Sequence, residues 1–320
     1  MADWLKTIGD FFDHLVSSYS PEATQINHIF IAFLAVAGLV FLLVLGLSVI
    51  SAIRFRSSKR PDEPKQIFGS NKLEIFWTTA SFIAVAVFFV ISVRSMEAIN
   101  APADKDRKAD IVVVGHQWWW EMRYPEYGFT TANELHIPAN KKLLMRMESA
   151  DVIHDWWVPS LGRKIDLIPG RSNYRWIQAD TAGTYEGTCS EYCGAQHAWM
   201  RIRVIAQTQD KYNQWVKAHQ EIPPIPKDSL AREGAKLFQS KTCSNCHTIR
   251  GTAAAKRVGP DLTHLQSRET LLSGMFKNTQ KNLRRWLKNP QKVKEGAHMP
   301  NFNLSDQELN ALVAYLEELK

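Results

Sequence analysis

The segment Cys189-Ser190-Glu191-Tyr192-Cys193-Gly194-Ala195-Gln196-His197-Ala198-Trp199-Met200 brings two thiols, an imidazole and a thioether into 12 residues. Thiolate and thioether are soft donors suited to copper, and imidazole also serves it well. Two cysteines separated by three residues fit on one loop, where each sulfur is able to bridge two metals. Such a site needs a second imidazole, and His154, in Ile153-His154-Asp155-Trp156-Trp157, is the best candidate. A mononuclear zinc site would use two cysteines and two histidines and leave Met200 idle. A disulfide would leave both His197 and Met200 unexplained. On spacing alone the order is copper, then zinc, then a disulfide.

The sequence around this loop reads as β structure from 111 to 206. Ile111-Val112-Val113-Val114 is a short apolar run, and Met200, Ile202, Val204 and Ala206 alternate with Arg201, Arg203 and Ile205. Pro138, Pro159, Pro169-Gly170, Gly183 and Gly187 interrupt the pattern often. About a hundred residues of short strands predict a sandwich or a Greek-key barrel. Tyr212, Trp215 and Val216 then follow at helical spacing, and Ile222-Pro223-Pro224-Ile225-Pro226 forms a stiff linker.

Beyond the linker the pattern turns helical. Ser305-Asp306-Gln307-Glu308 is a capping box with Leu309, Leu312, Val313 and Leu316 as an apolar stripe behind it. This region carries the other cysteine pair, in Cys243-Ser244-Asn245-Cys246-His247, which has the C-x-x-C-H form of a c-type haem attachment site. A redox-active disulfide or half a zinc site would leave His247 without a purpose, and no further cysteine pair remains for a four-thiolate zinc site. Candidates for a sixth iron ligand are His264, Met275, His298 and Met299. Met/His ligation would raise the reduction potential.

Toward the N-terminus, Ile29 to Ile53 and Ile75 to Val93 are free of charge, 25 and 19 residues long. As helices they would reach roughly 37 and 28 Å, enough to cross a bilayer. A wholly soluble chain is excluded. Arg54, Arg56, Lys59, Arg60, Lys65 and Lys72 fill the connecting loop, whereas Lys6 is the only basic residue among the first 28. The positive-inside rule puts the loop in the cytoplasm and both termini outside. For a bacterial plasma membrane, everything after Val93 is then periplasmic or extracytoplasmic.

The net charge of +7 resides after residue 225, where 16 Lys and Arg face 9 Asp and Glu; the first 225 residues balance at 23 of each sign. That excess is diffuse and lacks the basic stripe that nucleic acid requires, so no nucleic-acid partner is expected. Asp3, Asp10 and Asp13 read as a solvated face, and His14, His28, His136 and His219 have no partner pattern.

The copper-type loop resembles the binuclear copper A loop of cytochrome c oxidase subunit II. Gly115-His116-Gln117-Trp118-Trp119-Trp120, His154-Asp155-Trp156-Trp157-Val158-Pro159 and Lys164-Ile165-Asp166-Leu167-Ile168-Pro169-Gly170-Arg171 are similar to that family's other motif blocks. The resemblance spans 25 to about 215. It implies a cupredoxin-like Greek-key barrel with two coppers bridged by Cys189 and Cys193. His154 and Met200 would complete one copper, His197 and the Glu191 backbone carbonyl the other. It further implies that Trp118 lies on the surface over the copper and admits electrons. The Glu191 side chain would help hold a magnesium ion at the boundary with subunit I, and Glu74 would stand near the cytoplasmic mouth of a proton channel there. Quinol-oxidising relatives lack the copper ligands, so the full set implies a cytochrome c oxidase.

The C-terminal region resembles a small all-α class I cytochrome c. There Met299-Pro300 matches the axial methionine segment, with His298 its rival, and Gly259-Pro260-Asp261-Leu262 matches the loop whose proline carbonyl orients His247. The expected organisation is therefore a membrane anchor over 1–108, a copper A domain over 109–221, a linker over 222–226 and a cytochrome c domain over 227–320.

Taken together, the resemblance is to subunit II of a caa-type haem–copper oxidase. It implies an electron-relay subunit of an oxygen-reducing, proton-pumping oxidase, partnered by subunit I, other oxidase subunits and the lipid bilayer. Electrons would come from a cytochrome c or a membrane donor complex and pass through haem c and copper A. The alternative is a membrane-tethered electron carrier or copper-delivery protein outside any oxidase.

Overall fold

The computed structural model describes residues 17–56, 69–100 and 108–320. Asp3, Lys6, Asp10, Asp13, His14, Lys59, Arg60 and Lys65 lie outside the described residues. The chain divides into two compact units. One is built from described residues between Thr24 and Asn100, the other from Ser17–Ala23 with the described residues up to Lys320.

The first unit consists of two long helices, α1 (Pro21–Arg54) and α2 (Asn71–Ile99). Their mean hydropathies over the most apolar stretch are 3.0 and 2.2, and those stretches are not buried by any of the described residues. Both run past the charge-free cores seen in the sequence, because polar residues at a helix end cost little where they reach the interface. The helices pair through Gln25 Nε2, which donates to Ser95 Oγ at 3.4 Å, and an edge-on Phe33–Phe88 contact.

The second unit has a β lobe and a helical lobe. Ten strands form two five-stranded sheets. The first comprises β1 (Ile111–His116), β2 (Trp119–Tyr124), β3 (Phe129–Ala132), β5 (Leu143–Ser149) and β8 (Asn173–Ile177) in the order β3-β2-β1-β5-β8. The second comprises β4 (Glu134–Pro138), β6 (His154–Trp157), β7 (Ile165–Leu167), β9 (Gly183–Cys189) and β10 (Arg201–Gln207) in the order β4-β10-β9-β6-β7. Within the sheets, β1–β5 and β4–β10 run parallel and the other pairs antiparallel. Both sheets contribute to one core that includes Val113, Trp120, Met145, Leu135, Trp156 and Val204. The alternation expected along β10 is observed: Ile202, Val204 and Ala206 are buried. Near the start of α1, Glu22 accepts from Arg163 N at 2.9 Å and faces the buried Arg175 guanidinium at 3.5 Å.

Helix α3 (Gln209–Gln220) closes the β lobe, and an extended stretch through Ile222 and Ile225 leads onward. The helical lobe contains α4 (Ser229–Ser240), α5 (Gln280–Lys288), α6 (Pro290–Val293) and α7 (Asp306–Glu317). The capping box closes as expected. Ser305 Oγ accepts from Glu308 N at 3.3 Å, and the Glu308 carboxylate accepts from Ser305 N at 2.9 Å. Behind it Leu309, Leu312, Val313 and Leu316 are buried in the lobe's own core. The lobe adds one feature to the all-α expectation, a short hairpin of β11 (Thr270–Leu271) and β12 (Phe276–Lys277). Its base docks on the β lobe: the buried Glu134 carboxylate accepts from Glu269 N, Thr270 N and Thr270 Oγ1 at 3.0, 2.8 and 2.6 Å.

His136 and His219, unassigned in the sequence, join a stack of rings that crosses between the lobes. His136 lies on Trp215, Trp215 on His219 and His219 on His264, at centroid distances of 4.2, 4.2 and 4.7 Å. His219 Nε2 is 3.2 Å from Ser267 Oγ, and Arg250 Nη2 is 3.0 Å from His264 Nε2. Burial pushes His136 down to about 4 and His219 down to about 3, and lowers His264 as well. In an unfolded chain these imidazoles titrate near 6.5. Unfolding therefore takes up protons below that pH, and stability falls as pH drops from about 6.5 toward the folded values. Between pH 7.5 and 5, His136 and His219 together should remove a few kcal/mol. Thermal melts at the two pH values check this; a midpoint unchanged at pH 5 would contradict it.

Candidate copper and haem sites

Strand β9 ends at Cys189, and the chain then loops back through a single helical turn at His197–Trp199 before entering β10. This return places the loop donors around one point. Cys193 Sγ is 3.8 Å from Cys189 Sγ, 3.6 Å from His197 Nδ1 and 3.8 Å from Met200 Sδ. Cys189 Sγ is 3.3 Å from the Glu191 carbonyl oxygen. On the adjacent strand β6, His154 joins both cysteines, with all three donor atoms within 4.8 Å of one another. Both cysteines are free thiols, so the disulfide alternative is not the arrangement seen.

The donors fit a metal centre on their own chemistry. His154 is buried with Nδ1 lacking a hydrogen-bond partner, while its Nε2 is 2.8 Å from Asp151 Oδ1. A carboxylate behind a ligating imidazole fixes its tautomer and raises its basicity. Hydrogen bonding from Cys193, opposed by burial and aided by His154, draws the Cys189 thiol down to about 3. The same contact, with burial, pushes the Cys193 thiol up. A cation placed between the sulfurs would release that second proton.

Asp151 escaped the sequence reading, although an aspartate three residues before a candidate ligand was a usable signal. It also accepts from Gln117 N at 2.7 Å through Oδ2, and so ties the histidine to the segment bearing Trp118. Trp118 Nε1 and Gln117 Nε2 in turn donate to the Cys193 carbonyl at 3.0 and 2.8 Å. Gly194, at φ +114, makes the close approach possible; a Cβ there would stand 2.9 Å from the Trp118 ring.

In the helical lobe, Cys243, Cys246, His247 and Met299 line one largely apolar cleft, together with Leu262, Leu283, Trp286 and Leu316. The two cysteines are not joined in a disulfide. His247 Nδ1 lies 2.7 Å from the Pro260 carbonyl, which leaves Nε2 for a ligand, and a Cβ on Gly259 would come within 2.6 Å of the imidazole. Burial lowers the His247 pKa, keeping the neutral ring that binds a metal. Gln291 Nε2 donates to the Ala297 and Met299 carbonyls at 2.7 and 2.8 Å and shapes the loop carrying Met299. Met299 is half-buried and His298 exposed. Two thiols, an orientable imidazole, a thioether and an apolar cleft fit a covalently held haem.

One expectation needs correction. Trp118 is not a surface residue: it is 8% exposed, covered by the helical lobe. The cleft's wall is completed by Gln117, Trp118 and Trp119 of the β lobe, and the His298 ring lies 5.8 Å from the Trp118 ring. The reason is intramolecular docking, which the motif around Trp118 does not encode. Glu191 has an exposed side chain at the loop's rim, and Glu74 lies in the first turn of α2, also exposed.

Three family models match the chain: cytochrome c oxidase subunit II transmembrane domain over 11–98, cytochrome c oxidase subunit II periplasmic domain over 128–207, and cytochrome c over 231–320. Cytochrome c oxidase subunit 2 of Alkalihalophilus pseudofirmus is 35% identical over 309 residues, covering 94% of this chain and 89% of that one. The chain belongs to the cytochrome c oxidase subunit 2 family. The subunit 2 protein of Bacillus subtilis is 32% identical over 288 residues, covering 84% of this chain and 81% of its own length. A solved structure, the periplasmic domain of subunit II of cytochrome oxidase of Bradyrhizobium japonicum, is 35% identical over 36% of this chain and 96% of that one, with a TM-score of 0.34.

As a subunit 2 protein the chain has two membrane-spanning helices, a cupredoxin-like domain and a cytochrome c domain. The subunit II domain implies copper A and the cytochrome c domain implies haem. Membership also implies assembly with other subunits of a haem–copper oxidase, and a role in bringing electrons to it.

Proposed function

We propose that this chain receives electrons from an external donor, a cytochrome c or a membrane complex, and delivers them through haem c and copper A to subunit I. There oxygen is reduced to water and protons are pumped. The observation that carries this reading is the placement of two donor sets in one compact unit with Trp118 between them. Its indole donates to the Cys193 carbonyl on one side and meets His298 on the other.

Cys189, Cys193, His154, Met200, His197 and the Glu191 carbonyl would hold the two coppers. Cys243 and Cys246 would hold the haem covalently, with His247 and Met299 as axial ligands. When bound, these groups supply one-electron redox chemistry. The protein contributes stiffness and closure. With these donors bound, no copper position would remain open for a substrate, and the sulfurs are buried away from water. Exposed apolar side chains beside the copper loop, Tyr192 at 76% and Ile153 at 44%, suit a partner subunit. In this reading Glu191 helps hold magnesium at that boundary, and Glu74 stands at a proton-channel mouth. The basic loop faces the cytoplasm, and both termini lie on the extracytoplasmic side of a bacterial plasma membrane. A copper-delivery protein would need an open, exchangeable site, and the burial of His154, Cys189, Cys193 and Met200 disfavours it.

Metal analysis of the full chain separated from its partners should give two copper atoms per haem iron; one zinc per iron would overturn the binuclear assignment. Mild solubilisation of membranes should co-purify a larger haem-bearing subunit. Recovery of a lone, stable chain would favour the tethered carrier instead.

A further inference from the structure

Trp118 is gripped at both ends, and one grip comes entirely from the helical lobe. A backbone carbonyl has two lone pairs to share. At Trp118 both are taken by that lobe: Lys294 Nζ donates at 2.9 Å and Ser273 Oγ also donates at 2.9 Å. The single Ser273 hydroxyl proton is shared between that carbonyl and Asn133 Oδ1, 3.0 Å away, which also accepts from Trp120 N at 3.0 Å.

Lys294 is an unusual choice for this place. Its side chain is buried, at 4% residue exposure, and its three hydrogen bonds all go to backbone carbonyls: Trp118, then Trp199 and Leu272 at 3.4 Å each. Among the described residues it forms no salt bridge. A buried ammonium without a carboxylate is costly, and an apolar side chain of similar length would pack there without that cost. What the ammonium adds is geometric. It ties α6's C-terminal end, the copper loop at Trp199 and the hairpin at Leu272 to one carbonyl, with the directionality of charge-assisted hydrogen bonds.

We infer that Lys294 and Ser273 are positioning residues for electron transfer, clamping Trp118 so that its indole is held between the haem cleft and the copper loop. The inference rests on the reading of the two sites as haem c and copper A. The step it serves moves one electron from ferrous haem iron to the oxidised copper pair, with no bond made or broken; the external donor replaces that electron. The clamp governs how often the two sites are in register, not the identity of either.

The test uses the intact oxidase with a photoactivated ruthenium reductant, which reduces the haem in a flash while its absorbance follows re-oxidation. Lys294→Met and Ser273→Ala should each slow that internal transfer about tenfold, the effect of losing a hydrogen bond of this class. Haem absorption and copper content should stay unchanged, and Lys294→Arg, which keeps the charge, should restore most of the rate. Wild-type transfer in both Lys294→Met and Ser273→Ala, with both centres intact, overturns the clamp alone. Should Lys294→Met fail to assemble, Ser273→Ala decides, since it removes one neutral donor and leaves the ammonium. If the unaltered protein lacks either centre, the reading beneath falls and the clamp falls with it.

Discussion

Replacing Cys193 with serine is expected to abolish the binuclear copper centre. Cys193 Sγ is the hub of the donor cluster, within 3.8 Å of Cys189 Sγ, His197 Nδ1 and Met200 Sδ. A serine hydroxyl is a hard donor that stays protonated near neutral pH, so it neither bridges two coppers nor replaces the lost negative charge. Loss of a mere supporting hydrogen bond at a metal site costs 10- to 100-fold in affinity or activity, and loss of a bridging ligand should exceed about 100-fold. The copper content should fall from two per haem to one or none. The mixed-valence near-infrared signature should vanish, and oxygen consumption driven by an external donor should stop. The haem spectrum should be unaltered, because the Cys193 side chain does not line the other cleft and the backbone carbonyl that holds Trp118 is kept. A Cys193→Ser protein with two coppers and normal turnover would remove the basis of the proposed function.

The double replacement Cys243→Ser with Cys246→Ser should eliminate covalently bound haem altogether. His247 and Met299 would remain as iron ligands, so a non-covalent haem could still visit the cleft, but denaturation and acid solvent extraction would strip it completely. The lobe should also lose stability. Its cleft is lined by Leu262, Leu283, Trp286 and Leu316, and without a permanently held ligand these surfaces meet water or collapse. Haem staining of a denaturing gel and the unfolding midpoint of the lobe measure the two effects. A haem that survives extraction from the double variant would mean attachment through some other group.

The two lobes also answer how an external donor and the copper loop relate. Trp118, whose indole donates to the Cys193 carbonyl, is covered by Ser273, Lys294 and the His298 ring. Under the proposed function, an external donor would meet the helical lobe before it could reach Trp118. That is why the donor set at Cys243 matters to the copper site as well as to its own lobe.

What the sequence determined by itself is local. Metal and haem chemistry need donors at short, defined separations, so Cys189 to Met200 and Cys243 to His247 each marked a candidate site within a few residues. The two apolar runs needed only length and absence of charge, and the capping box at Ser305 only a three-residue spacing. His154 was reachable because strand β6 lies beside β9, but it was found by donor type; its carboxylate support from Asp151 emerged only in three dimensions. Tertiary structure alone decided what lies between the stations. The Trp118 carbonyl meets a lysine 176 positions later, and His136 joins His219 and His264 in one stack across the lobes. Contacts so distant leave no spacing rule in the chain, because their geometry is set by how two separate hydrophobic cores pack against each other, and that packing depends on whole surfaces and not on local sequence.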